Sequence, residues 1–211
     1  WYDLYGLNTS WTVNGYNGSA SGSGVAITLN SEELAKIKAA VKSQYPHDNT
    51  DKTRDQAIET ALKYVGKIGY NQAYHGSKLQ EGGYNDCSGY VSQVYNNVLR
   101  RIYSTDGFKD LAVKYGAYRN FTDGNCKPGD ILLRGMENSN KKDNHALLYL
   151  GKIDGEDRSV DCSTSGGVGN VFYRTRGVSY YNTCTYIDMT VFIQGYIAEH
   201  PDMAGNLLQE S

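Results

Sequence analysis

Apolar positions along the chain recur with two different periods, helical at first and strand-like later. Leu34, Ile37 and Val41 share one helical face behind Asn30-Ser31-Glu32-Glu33, which fits a capping box. Tyr45-Pro46 through Asp51 breaks that pattern. Thr53 with Gln56 then offers a second capping box before Ile58, Ala61, Leu62 and Val65. Helical spacing returns in Val91, Val94, Tyr95, Val98 and Ile102, and Phe108 through Tyr115 makes a further short helix. Beyond Pro128 the apolar runs shorten, and turns rich in Gly, Asn and Asp separate most of them. Strands are expected at about 131–134, 145–150, 158–163, 170–174 and 190–197, as an antiparallel meander requires. The fold class expected is α+β, with N-terminal helices packed on an antiparallel sheet.

The organisation reads as two parts. Residues 1–51 are a polar arm or linker plus one short helix, with Asn14-Gly15, Asn17-Gly18 and a Ser/Gly run at 19–24; residues 52–211 are the domain proper. A long polar loop at 135–144 adjoins His145, where it would rim a cleft. No apolar run approaches the roughly 18 residues that a membrane span needs. The chain starts at Trp1 without an initiator Met or a signal peptide, so an export signal or anchor is expected upstream.

Charge narrows the partners. A net charge of −2 and a largest basic cluster of two residues (Arg100-Arg101, Lys141-Lys142) offer no surface for nucleic acid. The 19 Tyr and 24 Gly, with many Asn, Ser and Thr, are common in proteins whose surfaces meet sugars and peptides outside the cell.

The candidate chemistry lies in Asp86-Cys87-Ser88-Gly89 and in the lone histidine that opens His145 through Gly151. Cys87 follows a loop (Glu81-Gly82-Gly83-Tyr84-Asn85) and opens a helical stretch. The helix dipole and the unpaired first-turn N–H groups of such a site favour the thiolate, which is the reactive form. Asp86 or Asn85 would cap the helix. His145 heads an apolar run that reads as a buried strand, a rigid mount for a general base. His47, His75 and His200 lie in polar surroundings and read as solvated; His75, between Tyr70 and Cys87, is the one with a route to the cleft. With Cys87 as nucleophile, at most one disulfide forms among Cys126, Cys162 and Cys184. Cys162 with Cys184 is the expected pair, since both lie in the strand-rich part. No Cys-x-x-Cys or His-x-x-x-His spacing points to zinc.

Taken in order, Gly69-Tyr70, Asp86 through Val91, Lys127-Pro128-Gly129-Asp130-Ile131-Leu132 and His145 through Gly151 resemble NlpC-type cell-wall cysteine peptidases across roughly residues 54–198. The resemblance implies a minimal papain-like core, with the cysteine at the N-terminus of a central helix and the histidine on the sheet. It implies Cys87 as nucleophile and His145 as base. It puts Asp161 where the family carries a polar residue that orients the imidazole, usually His, Asn or Gln. If Asp161 were instead a solvated strand residue, Ser163 or a backbone carbonyl would take that part. Tyr70, Asp86 and Ser88 match positions that bind the free amine of an N-terminal L-Ala, a charge-assisted contact. The implied activity is hydrolysis of peptidoglycan stem peptides, at the bond between γ-D-Glu and the diamino acid, with no metal or organic cofactor. The protein would then be secreted or wall-associated. Two alternatives stay open: a muramoyl-L-alanine amidase, bridge-cleaving or acyl-transferring enzyme of related fold, and a non-catalytic wall-binding module.

Overall fold

The computed structural model describes residues 11–13, 16–18, 28–137, 143–165 and 168–206. Of the N-terminal part expected at 1–51, the described residues ahead of its helix include the antiparallel pair β1 (Trp11–Val13) and β2 (Tyr16–Gly18); residues 138–142 of the loop beside His145 lie outside them.

Asn30 caps α1 (Ser31–Lys42) through the expected box, its side chain accepting from Glu33 N–H while the Glu33 carboxylate accepts from Asn30 N–H, both at 2.9 Å. Ile37 and Val41 of α1 enter the same core as the rest of the protein, and α1 packs on the sheet. The second box does not form. Helix α2 (Asp51–Lys63) starts earlier, because Asp48 holds both the N–H and the hydroxyl of Thr50 just before it. Thr53 is therefore buried inside the helix, with its hydroxyl unpartnered among the described residues.

After α2 come the short parallel pair β3 (Gly69–Tyr70) and β4 (Tyr84–Asn85), then α3 (Cys87–Val94) and α4 (Thr105–Lys114). Helix α3 is shorter than its apolar spacing suggested. It stops at Val94, and Tyr95 and Val98 are buried from turns.

A six-stranded antiparallel sheet follows: β5 (Tyr118–Asn120), β6 (Ile131–Arg134), β7 (His145–Ile153), β8 (Glu156–Ser165), β9 (Val168–Arg174) and β10 (Cys184–Ile187), in the order β5-β10-β6-β7-β8-β9. A short helix α5 (Val178–Tyr181) joins β9 to β10. Residues 190–197, expected as the last strand, are helical instead, within α6 (Met189–Glu199). The Asp188 carboxylate accepts from the N–H groups of Thr190 and Val191, and Met189, Phe192, Ile193 and Tyr196 bury at helical spacing. The run is rich in β-branched residues, but the cap and the burial period decide its structure.

Both faces of the sheet are covered. Ala146, Leu148 and Leu150 of β7 point into the main core with the helices, whereas Leu147 and Tyr149 join Leu132, Tyr181 and Tyr186 in a smaller cluster behind. That is why the sequence shows an unbroken apolar run rather than alternation. The run stops at Gly151, at a register shift in the β7–β8 ladder. Its φ is +84°, and a Cβ there would sit 2.6 Å from Gln44 Oε1.

One buried ion pair ties the layers together. Arg54 of α2, 1% exposed, donates to Asp130 Oδ1 and to the Pro128 carbonyl, both at 2.7 Å, while Asp130 accepts from the N–H groups of Lys127 and of Met189 at the start of α6. The Asp130 carbonyl and N–H bond to Tyr149 and Lys127. Helix α2, the turn into β6, β7 and α6 thus meet at one pair of charges. Removing one partner of a buried pair leaves the other uncompensated. Asp130→Ala is expected to lower unfolding free energy by about 3–5 kcal/mol in denaturant titration, and a loss below about 1 kcal/mol would show that the pair does not hold these elements.

Candidate active site

Helix α3 presents Cys87 as its first residue, 8% exposed. Asp86 is the N-cap, its Oδ1 accepting from Gly89 N–H at 2.7 Å. Asn85 braces the approach: its amide oxygen accepts from the N–H groups of Gly76 and Asp86, and its amide donates to the Ser77 carbonyl. The β3–β4 register places Tyr70 opposite Asn85. The Tyr70 hydroxyl is pushed up from its ordinary value by burial first, then by the negative potential of Cys87 and, less strongly, of Asp86. Ser88, the second residue of α3, is buried at 4% exposure.

His145 is the first residue of β7, its side chain 17% exposed. Its Nε2 lies 2.8 Å from Asp161 Oδ2, and Cys87 is near enough for its charge to act on the ring, which leaves Nδ1 as the ring nitrogen free for the cysteine. Burial works against the imidazolium. The charge of Cys87 and the bond to Asp161 outweigh it and raise His145 above 6.5.

Asp161 is fully buried rather than solvated. Val160 and Cys162 of β8 point into the main core, so Asp161 takes the opposite face by alternation, with Ser159 and Ser163. Besides His145 it binds two arginines: Arg174 donates from Nε to Oδ1 at 3.0 Å and from Nη2 to Oδ2 at 2.7 Å, and Arg176 donates to Oδ2 at 2.6 Å. Asp161 pairs across the ladder with Phe172, so Arg174 is its diagonal neighbour on the same face. Burial alone would raise the carboxyl. The charges of Arg174 and Arg176 and the bond from His145 prevail and hold it well below 3.8. Ser163 bonds to Arg174, so it is a support of the carboxylate rather than a substitute for it.

The chain Cys87–His145–Asp161 is thus assembled from a helix N-terminus and two adjacent strands, with Tyr70, Asp86 and Ser88 alongside. Sequence reading missed Arg174 and Arg176. Their one local signal was a pair of arginines, two residues apart, at the end of the strand expected at 170–174, with no partner marked beside them. It also missed the partner of His75, whose Nδ1 lies 2.9 and 2.8 Å from the two Asp86 oxygens.

All four cysteines are free thiols. The expected Cys162–Cys184 disulfide does not form, because β6 and β7 lie between β8 and β10. Three strand spacings put the two residues roughly 14 Å apart, far beyond bridging reach.

Burial pushes the thiols of Cys126 and Cys162 up, and that of Cys184 up to about 12. Iodoacetamide at pH 6 is therefore expected to label Cys87 well ahead of the other three, read by peptide mass spectrometry; equal labelling would contradict this arrangement. Asp161 supplies the second expectation. A depressed carboxyl stabilises the fold above its unfolded pKa, and that stability is lost as pH falls through the lower folded value. Wild-type stability should therefore fall steeply below about pH 4, and Asp161→Asn should flatten that acid limb in denaturant titrations. Asp161→Asn should also lower kcat with KM little changed, and retain more activity than Asp161→Ala, because an amide oxygen still accepts the imidazole N–H.

Compared with protein-family models, curated proteins and solved structures, the chain matches none of them.

Proposed function

We propose that this protein is a cysteine peptidase that hydrolyses the stem peptides of bacterial peptidoglycan, at the bond between γ-D-Glu and the diamino acid. The observation that carries the reading is His145, hydrogen-bonded to the buried Asp161 and under the electrostatic influence of Cys87, whose sulfur stands at the first turn of a helix. A helix over an antiparallel sheet, with nucleophile and base on the two layers, fits a papain-like core.

In this reading the Cys87 sulfur attacks the peptide carbonyl and forms a thioester. His145 hands its proton to the departing amine, then draws one from the water that releases the acid. The Cys87 N–H, unpaired within the helix, faces the oxygen where charge develops. Asp161 fixes the ring and stabilises its protonated form. Because two guanidiniums hold it ionised, it orients His145 without taking the proton itself. The stem-peptide substrate and the wall or extracellular location rest on the resemblance of the sequence segments. No helix among the described residues is long and apolar enough to cross a membrane.

The test is digestion of purified peptidoglycan, with fragments sequenced by mass spectrometry. Wild type is expected to release fragments ending in γ-D-Glu, and Cys87→Ala to release none while keeping its circular dichroism spectrum. Cutting before L-Ala would assign an amidase, and cutting in the bridge a bridge hydrolase. Release of nothing by wild type would leave a wall-binding module.

A further inference from the structure

Asp86 lies at the lip of the site, and its free edge is already taken. His75 Nδ1 is almost equidistant from the two carboxylate oxygens, at 2.9 and 2.8 Å, which places the ring on the bisector where a bidentate donor or an incoming ammonium would sit. Oδ1 is also committed to the Gly89 N–H of α3. The Asp86 side chain is only 15% exposed and that of His75 is 38% exposed, so the imidazole forms the outer surface here.

The segment that carries His75 is built against the helix. Gly76 donates its N–H to the Asn85 side chain at 2.9 Å, and its carbonyl accepts from Gln93 Nε2 at 2.7 Å; the Ser77 carbonyl accepts from Asn85 Nδ2 at 2.8 Å. Two glycines permit the approach. Gly76 has φ +70° and its Cβ would strike Ile102 at 2.6 Å, while a Cβ on Gly89 would fall 2.3 Å from the Gly76 nitrogen. Three polar contacts and two missing side chains fix the turn that delivers the ring, so displacing His75 means breaking the brace of the candidate catalytic helix.

We propose that His75 is a specificity-determining residue. It occupies the Asp86 carboxylate in place of a substrate ammonium, so the enzyme accepts stem peptides whose N-terminal amine is blocked, as it is in the assembled polymer, as readily as free peptides. This rests on the stem-peptide reading of the same site. Asp86 then serves as helix cap and as the seat of His75, and selection by amine charge is absent.

The test compares kcat/KM for a synthetic stem peptide with a free N-terminal L-Ala and for the same peptide N-acetylated. Wild type is expected to cleave the two within about threefold of each other, because neither makes a charge-assisted bond that the other lacks. His75→Ala uncovers the carboxylate and should favour the free peptide by about ten- to a hundredfold. His75→Gln, which keeps a donor for Asp86, should stay close to wild type. Adding Asp86→Asn to His75→Ala retains a good helix cap and removes the charge, so the gained preference should vanish. A wild-type preference for the free peptide of tenfold or more that persists in both His75 variants would overturn the proposal. So would a ratio near one in a folded, active His75→Ala. Failure of the wild type to cleave either peptide would instead count against the stem-peptide reading itself.

Discussion

The site depends on one carboxylate sealed away from water. Asp161 has no exposed surface, and an ionised carboxylate in such a place is tolerated only when its charge and lone pairs are met by partners. Arg174 grips it through two nitrogens, Arg176 through one, and His145 fills the remaining direction. Each partner arrives by a different route. The β8–β9 register brings Arg174 diagonally across, the segment leaving β9 brings Arg176, and β7, paired with β6 at His145 and with β8 from Leu148 onward, brings His145. A slip of one residue in any of these ladders would leave a buried charge unmatched, so the cluster selects the strand register as well as the imidazole orientation.

This gives the site a division of labour. The arginines keep Asp161 ionised, which fits it for holding a ring and stabilising a positive charge. In the proposed chemistry His145 is the group left to exchange protons, and its raised pKa reflects the favourable balance of Cys87 and Asp161 over burial. Cys87 stands on a helix of eight residues, too short to hold its own position. Its placement is imposed from outside: Asp86 caps it, Asn85 and Gln93 bind the neighbouring turn to it, and the Tyr90 hydroxyl donates to the Ala61 carbonyl of α2 at 2.7 Å. Farther out, Arg54 and Asp130 lock α2 to the sheet on which His145 and Asp161 ride. The candidate catalytic groups come from two layers, and their separation is set by this frame.

Much of the fold and the centre of the site was legible in the sequence, because it was written in local signals. Helical spacing marked α1, α2 and α4, the Asn30 box marked a start, and short apolar runs marked β6 through β9. Cys87 and His145 could be singled out because a cysteine behind a capping residue and a histidine heading an apolar strand are statements about neighbours in the chain. Where two local signals conflicted, the reading failed. The β-branched run at 190–197 suggested a strand, yet the Asp188 cap and a buried helical stripe made it α6. The spacing from Val91 to Ile102 suggested a long helix, whereas α3 ends at Val94 and, of the spaced residues beyond it, only Tyr95 and Val98 fill the core from the turns that follow.

The tertiary structure alone decided what depends on strand order and on segments far apart in the chain. Cys162 and Cys184 looked like partners by position, and two intervening strands separate them. Arg174 and Arg176 carry no local mark that ties them to Asp161, since that contact exists only once β8 and β9 are in register. His75 read as a solvated loop residue with a route to the cleft but no partner; the close approach of Gly76 to Gly89 brings it onto Asp86. The sequence by itself determined which residues have reactive chemistry and which elements mount them, because capping and periodicity act over a few residues. Which charges meet was determined by packing, because electrostatic partners are chosen by proximity in space and by exclusion of water, and neither is encoded within a single segment.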